Sequence, residues 1–278
     1  MGRRFTQVDV FGDGGLGGNP LAVVHDADDL TDEQMQTFAT WTNLSETTFL
    51  LKPSEPRADY RVRIFTPTGE LPFAGHPTLG SAHVWLAAGG RPNSTACIVQ
   101  ECSIGLVELR GQDGKLAFAA PPRLRSQKLG RPEMAKIARA IGIPAKEWVA
   151  HAWGDNGAPW MMVQLADAET VRSAEVNREV LATGQHLGLI GLEPEGSPYA
   201  YEVRGILREF EDPVTGSLNA AAAQWMRERN LVPATYKVTQ GSATGRHGEV
   251  WVLDDGERIW ISGRVRRVIS GQLSYPSA

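Results

Sequence analysis

Two loops in the sequence share the pattern Glu-x-Pro-x-x-Gly, and each stands where a strand-like segment gives way to a helical one. They occupy residues 70–75 and 211–216. Pro and Gly keep each loop out of regular structure, and the first N–H groups of the following helix have no partners within that helix. Such helix starts bind anions. The pattern predicts two sites suited to the carboxylate or enolate-like charge of a small substrate, although ordinary tight strand-to-helix turns also use such loops.

The two loops belong to a longer internal repeat. A shift of 141 positions superimposes seven identical residues between positions 60 and 82, where ordinary frequencies give about one or two. The pairs are Tyr60 with Tyr201, Val62 with Val203, Arg63 with Arg204, Glu70 with Glu211, Pro72 with Pro213, Gly75 with Gly216, and Ala82 with Ala223. Because the shift is almost half the chain, we expect a duplication. If its halves pack about a pseudo-two-fold axis, both helix starts face one cleft, which is the candidate site.

The two copies differ where chemistry is expected. The first predicted helix begins with His76 and the second with Ser217, while Leu71 of the first loop corresponds to Asp212 of the second. A site for an asymmetric substrate shows such differences inside a symmetric frame, and so does drift between copies. Glu46 precedes an apolar strand, and from composition alone a Glu at such a junction is usually solvated.

Hydrophobic periodicity predicts alternating strands and helices. Thr31 and Gln34 form a capping-box pattern at the start of one helix. Further helices are expected at 77–88, 132–140, 168–183 and 218–229, with no strand predicted between 183 and 199. Pro121-Pro122 is the expected domain boundary. We therefore predict an N-terminal lobe at 1–120, a C-terminal lobe at 121–264, and a last segment, 265–278, that returns to the first lobe.

Composition excludes several classes of protein. The 278 residues include 28 Lys and Arg against 32 Asp and Glu, a net charge of −4, so neither nucleic acid nor a membrane is an expected partner. Cys97 and Cys102 are too few for a disulfide framework, and no spacing suggests a metal site. The N-terminus lacks the apolar run of a signal peptide, which favours a cytoplasmic, soluble protein. The remaining histidines are expected at the surface or in packing: His25, His83, His151, His186 and His247.

Five motifs, in order, carry a resemblance to a known family. They are Asp9-Val10-Phe11, Gly18-Asn19-Pro20-Leu21-Ala22-Val23, Asn43-Leu44-Ser45-Glu46-Thr47, the Arg63–Pro67 stretch followed by Glu70–Pro77, and Glu211–Ser217. Together they resemble the PhzF-like phenazine-biosynthesis isomerase family, over both halves of the chain. The resemblance implies an α+β or α/β fold similar to diaminopimelate epimerase. In that fold, two pseudo-symmetric lobes each wrap a strongly curved mixed sheet around a central helix, with the active site in the cleft between them.

The resemblance also implies roles for individual residues. Glu46 is the acid/base, with His76 and Asp212 as polar catalytic partners. Substrate contacts are implied for Asn19 and for the loop residues Gly75, Gly216 and Ser217. No metal or organic cofactor is implied, and family members are typically homodimers. Diaminopimelate epimerase uses two loop cysteines, which the loops here lack, so a two-thiol racemase mechanism is disfavoured.

A single proton carrier favours one kind of chemistry. A carboxylate enclosed between lobes loses water, its pKa rises, and it is able to take and return a proton at one substrate face. We expect a cofactor-independent isomerase that shifts a double bond in a small amino or hydroxy carboxylate, as in dihydro-hydroxyanthranilate isomerisation. Two alternatives stay open: a hydrolase of a small γ-glutamyl or amide compound, and a non-catalytic carboxylate-binding protein.

Overall fold

The chain divides into two compact units. The structure is a computed structural model, and it describes residues 2–112 and 114–274. The first unit comprises the residues up to 119 and the segment from 262 onward, and the second comprises 120–261. Of the segment that the sequence assigns back to the first lobe, residues 275–278 lie outside the described residues.

Up to residue 119, the first unit consists of a mixed sheet and its helices. In chain order the elements are β1 (Arg3–Val10), β2 (Asn19–Val24), α1 (Asp32–Thr42), β3 (Glu46–Leu51), β4 (Tyr60–Thr66), β5 (Gly69–Leu71), α2 (Gly75–Ala87), β6 (Ile98–Cys102), β7 (Gly105–Gln112) and β8 (Lys115–Ala119). Strand β2 runs antiparallel to β1 and parallel to β3, and β3 runs antiparallel to β4. The predicted capping box at Thr31 and Gln34 is confirmed, since both reciprocal hydrogen bonds form.

The second unit repeats this arrangement of strands and helices. Its elements are α3 (Arg131–Ile141), β9 (Ala150–Asp155), β10 (Pro159–Gln164), α4 (Ala168–Ser173), β11 (His186–Leu192), β12 (Tyr201–Leu207), β13 (Glu211–Asp212), α5 (Gly216–Glu228), β14 (Thr235–Gln240), β15 (Gly248–Asp254) and β16 (Ile259–Gly263), whose last two residues belong to the first unit. Strand β17 (Val265–Leu273) then pairs antiparallel with β1 of the first unit. As in the first unit, parallel and antiparallel neighbours are mixed, because β10 runs parallel to β11 and β11 antiparallel to β12.

Each unit is organised around one buried helix. Helix α2 is buried along most of its length and contacts β1, β2, β3, β4, β6, β8 and β17. A helix that strands cover on many sides carries few polar side chains, and the buried polar residues of this one are His76, Thr78 and Ser81. Gly80 permits the close approach, since a Cβ there would lie 2.5 Å from Leu21 Cδ2. Helix α5 is buried in the same way and packs on β9 and β10. The predicted α+β class, with mixed strands around a central helix in each half, is confirmed.

The structure also shows what the repeated residues do. Strands β4 and β12 start 141 positions apart, and so do helices α2 and α5, each of 13 residues. In both units the repeated arginine donates two hydrogen bonds to the repeated glutamate, Arg63 to Glu70 and Arg204 to Glu211. We call these two ion pairs the strand–loop clamps. They join β4 to β5 in the first unit and β12 to β13 in the second, just before the loop that leads into the central helix.

One region differs from the sequence prediction. The helix expected at 168–183 ends at Ser173, and Asn177 then caps a short 3-10 turn at Arg178–Val180. Strand β11 follows, although no strand was predicted there. Both central helices also begin one residue before the predicted His76 and Ser217, at Gly75 and Gly216.

The described helices are short or polar relative to a membrane-spanning helix. None of those within residues 2–112 and 114–274 combines the length and apolar character needed to cross a bilayer.

Candidate active site

Three predicted site residues of the first unit come together at the start of α2. Helix α1 ends at Thr42, and Asn43, with a left-handed φ of 53°, turns the chain back so that β3 starts at Glu46. Asn19 is the first residue of the parallel neighbour β2, in which Leu21 lies opposite Glu46. Because alternate residues of a strand face the same side, Asn19 and Glu46 share one face of the sheet. His76, in the first turn of α2, lies against that face.

The contacts of the His76 ring define the geometry of the cluster. Glu46 Oε2 lies 3.4 Å from His76 Nε2, and Asn19 Nδ2 lies 3.3 Å from His76 Nδ1. An amide nitrogen only donates, so Nδ1 of the ring accepts this hydrogen bond. The proton of the neutral ring is therefore on Nε2, the nitrogen that lies 3.4 Å from Glu46 Oε2. We call these three residues the carboxylate–imidazole cluster.

Burial decides the charge of the imidazole. The His76 side chain is 3% exposed and that of Glu46 is 13% exposed. Loss of hydration lowers the pKa of His76 to about 3, so the ring is neutral at neutral pH. A neutral imidazole does not compete with Glu46 for a mobile proton. Its Nε2 lies 3.4 Å from the Glu46 carboxyl group, a close contact that does not meet the geometry of a hydrogen bond.

Hydroxyl groups next to this cluster hold β3 in place. Ser81 Oγ of α2 donates to Thr48 Oγ1 of β3 over 2.9 Å, and both residues are fully buried. Thr42 and Thr47 join the end of α1 to β3 with a second hydroxyl contact of 2.9 Å. Glu46 thus begins a strand that is tied on one side to α2 and on the other to α1, which restricts the position of its carboxyl group.

The predicted site residues of the second unit lie in the loop before α5 and at its start. Asp212 belongs to β13 and is buried, and its backbone oxygen accepts a hydrogen bond from Gln240 Nε2 over 3.0 Å. The same Gln240 accepts from Thr215 N through Oε1, over 2.9 Å, and donates to Thr215 Oγ1 over 2.8 Å. Gln240 therefore fixes the loop on both sides of Pro213. The Thr215 hydroxyl, committed to Gln240, makes no side-chain cap on the helix.

Gly216 and Ser217 begin α5 beside two residues that were not predicted to belong to the site. Trp160 Nε1 donates to Ser217 Oγ over 3.0 Å, and Asn156 Nδ2 donates to the Ser217 carbonyl over 2.9 Å. His186 lies against Trp160, with 4.9 Å between the ring centroids. A signal for Trp160 was present in the sequence, because the shift of 141 that aligns the loops also carries Asn19 onto Trp160.

The two cysteines are elsewhere in the first unit. Cys97 precedes β6, and Cys102 ends it. Both thiols are free, and burial raises the pKa of each. Within the described ranges, no group of three or more His, Cys, Asp or Glu side chains is arranged to hold a metal ion.

Comparison with known proteins agrees with this architecture. The family model described as phenazine biosynthesis-like protein matches residues 8–271. Among relatives, a Schizosaccharomyces pombe protein named antisense-enhancing sequence 1 is 32% identical, covering 96% of this chain and 97% of its own. The trans-2,3-dihydro-3-hydroxyanthranilate isomerase of Pseudomonas aeruginosa is 31% identical, covering 92% of each chain.

A solved structure shows the same fold. The crystal structure of a PhzF-family phenazine biosynthesis protein from Bacillus anthracis superimposes with a TM-score of 0.83 at 23% identity, covering 99% of this chain and all of the other. The family model spans most of the chain, and two relatives exceed 30% identity along almost their full length. The chain therefore belongs to the phenazine biosynthesis-like PhzC/PhzF family.

Proposed function

We propose that the protein is a cofactor-independent isomerase that moves a proton on a small amino or hydroxy carboxylate, with Glu46 as the acid/base. The observation that supports this function is the carboxylate–imidazole cluster, in which a mostly buried carboxyl group faces a neutral imidazole at 3.4 Å. The relative named trans-2,3-dihydro-3-hydroxyanthranilate isomerase supports both the class of reaction and the class of substrate.

The proposed reaction needs one proton and no redox partner. The Glu46 carboxylate takes a proton from a substrate C–H bond, whose electron pair enters the neighbouring π system. The product of this step is a neutral Glu46 carboxylic acid and a delocalised substrate anion. Glu46 then donates the proton to another carbon of that system, which shifts the double bond and regenerates the carboxylate. Positioned groups of this type typically accelerate proton transfer by about 10²- to 10⁴-fold.

The neighbouring residues support the two charge states of Glu46. The Nε2–H of His76 stabilises the carboxylate that starts and ends the cycle, and Asn19 keeps the imidazole in the tautomer that presents this donor. In the second unit we propose Asp212 as a catalytic partner for the substrate's amino or hydroxyl group. Gly75, Gly216 and Ser217 are the proposed contacts of its anionic part, because backbone N–H groups at helix starts favour negative charge.

The function is tested by hydrogen exchange. The purified protein is incubated in deuterium oxide with trans-2,3-dihydro-3-hydroxyanthranilate and with a panel of related carboxylates, and deuterium at carbon is measured by mass spectrometry. We expect incorporation at carbon for the true substrate. Glu46→Gln should lower the exchange rate by about 10³-fold, since the amide cannot carry the proton.

A matched variant controls for nonspecific effects of removing a carboxylate. Glu257 is exposed in a turn, and Glu257→Gln should exchange at the wild-type rate. Exchange that persists in Glu46→Gln would remove Glu46 from its proposed role. Release of an amine or acid without deuterium at carbon would favour the hydrolase, and binding without turnover of any compound would favour the carboxylate-binding protein.

A further inference from the structure

The duplication identifies a second cluster that corresponds to the carboxylate–imidazole cluster. In each unit, two parallel strands present one side chain apiece to the start of the central helix. In the second unit these strands are β10 and β11, in which Trp160 lies opposite His186. Gly188, two residues beyond His186, packs on Leu218 of α5, so this face of β11 is the one that meets the helix. The corresponding pairs, with their offsets, are Asn19 and Trp160 at 141, Glu46 and His186 at 140, and His76 and Ser217 at 141.

The Trp160 hydrogen bond decides what the Ser217 hydroxyl is able to do. An indole N–H only donates, so Ser217 Oγ is the acceptor in the 3.0 Å contact. The hydroxyl hydrogen is then left to donate to another group. Trp160 is 2% exposed, so packing fixes the direction from which its N–H approaches Ser217 Oγ.

His186 holds the indole in place through packing. The two rings lie 4.9 Å apart between centroids and are inclined by 46°. Burial lowers the pKa of His186, although Glu209 and Asp155 oppose this shift, and the ring is neutral at neutral pH. Its Nδ1 is buried and makes no hydrogen bond among the described residues. Where the first unit has a proton carrier, the second unit thus has an uncharged aromatic support.

A buried acceptor completes the cluster. Asn156 is 7% exposed and donates through Nδ2 to the carbonyl of Ser217. Its Oδ1 is buried without a hydrogen-bond partner in the part of the chain that the structure describes. Buried polar atoms are normally satisfied, so this oxygen is suited to an amino or hydroxyl donor on a ligand.

We propose that Trp160 and His186 are positioning residues for substrate binding. Trp160 sets the Ser217 hydroxyl so that its hydrogen is donated to the substrate carboxylate, and His186 keeps the indole in register. Asn156 Oδ1 accepts from the amino or hydroxyl group of the same molecule. This inference rests on the proposed function in one respect, that the ligand is the substrate of the isomerase. It assigns the second cluster to recognition, with no proton transfer to substrate.

Calorimetric binding tests the proposal without turnover. The probes are 2-amino-3-hydroxybenzoate, an aromatic amino-hydroxy carboxylate, and 2-aminophenol, which lacks only the carboxylate. Wild type should bind the first more tightly. Trp160→Phe keeps most of the ring but removes the N–H, and it should weaken binding of the carboxylate about tenfold while leaving 2-aminophenol unchanged. Because Trp160 acts through Ser217, adding Ser217→Ala to Trp160→Phe should cause little further loss.

Conservative variants separate positioning from folding. His186→Ala should weaken carboxylate binding several-fold, and His186→Phe should restore it, because an aromatic ring at this position is what holds the indole. Trp41 is 77% exposed on α1, and Trp41→Phe serves as the matched control with wild-type binding. Thermal unfolding of each variant checks that the fold is intact.

Each result bears on the proposal in a defined way. Wild-type carboxylate binding in Trp160→Phe, equal weakening of both probes, or no carboxylate preference in wild type would overturn it. Failure of the proposed function has a different signature. The protein would then show no deuterium exchange with any carboxylate, while the binding pattern of the variants would stand.

Discussion

The starts of α2 and α5 are alike in backbone and different in chemistry. Both follow a loop closed by a strand–loop clamp, and both receive side chains from two parallel strands. At α2 the strand residue Glu46 forms a titratable pair with His76 of the helix. At α5 the side chains form the neutral arrangement of Trp160, His186 and Ser217. The difference is the basis for proposing that Glu46 in one copy of the duplicated frame carries the proton and that the start of α5 in the other binds the substrate.

The clamps offer the largest expected effect on stability at neutral pH. Arg204 is buried and also donates to the carbonyls of Val171 and Ala174, whereas the clamp of Arg63 is more exposed. Removing one partner of a buried pair leaves an uncompensated charge. Arg204→Met should therefore lower the free energy of unfolding by about 3 kcal/mol. Arg63→Met should lower it by about 1 kcal/mol. Urea denaturation measures both, and equal losses would show that burial does not distinguish the two clamps.

The kinetic roles of the two helix starts should also separate. His76→Phe preserves a ring but removes the imidazole nitrogen 3.4 Å from Glu46, so it should lower kcat about 30-fold with little change in KM. Ser217→Ala should raise KM about tenfold at nearly constant kcat, since it removes a binding contact. Steady-state rates on the substrate found by deuterium exchange provide the measurement. The reverse pattern would exchange the roles assigned to the two units.

Acid should destabilise the fold through His76. In the unfolded chain this imidazole binds a proton below its ordinary pKa of 6.5, whereas burial keeps it neutral in the folded protein down to a pKa of about 3. Its contribution to stability is therefore complete above pH 6.5 and declines as the pH falls toward 3. Between these values the free energy of unfolding should decrease by about 1.4 kcal/mol per pH unit from this group alone. His76→Phe should lack this part of the slope in urea unfolding between pH 4.5 and 6.5, and an unchanged slope would contradict the shift.

The smallest effect is expected from His186→Phe. Nδ1 of His186 makes no hydrogen bond among the described residues, so losing this nitrogen removes no contact, and the new ring keeps the packing on Trp160. The free energy of unfolding should stay within about 0.5 kcal/mol of wild type. A larger loss in urea unfolding would assign a structural hydrogen bond to this imidazole.

The fold could be predicted from the sequence because the repeat preserves residues that have structural roles. The shared Arg and Glu form the clamps, and the shared loop glycines start the helices. Strand β11 could not be predicted from the sequence. Its glycines weaken the local strand signal, yet Gly188 and Gly191 are required because a Cβ at either would collide with Leu218 or with the backbone of Asp167. Only tertiary packing explains why this segment is a strand.

Part of the candidate site could be predicted from the sequence. Residue type alone favoured a solvated Glu46, and its role came from the family resemblance; the structure adds that its side chain is mostly buried beside His76. Trp160 was assigned to the core and His186 to the surface or to packing. The hydrogen bond of Trp160 to Ser217 and its ring contact with His186 depend on three segments meeting in space. The homodimer and the cytoplasmic location stay predictions, because neither follows from contacts within one chain.

The strand–loop clamps have a consequence for how new activities arise on this scaffold. Each ion pair lies several residues before its helix start along the chain. It therefore does not involve the side chains at positions 76 and 217, in the first turn of each helix. The acid of one unit and the indole of the other therefore lie at helix starts that follow the same kind of ion pair. For a designer seeking a different reaction, the natural starting point is to vary positions 19, 46, 76, 160, 186 and 217 while leaving both arginines untouched.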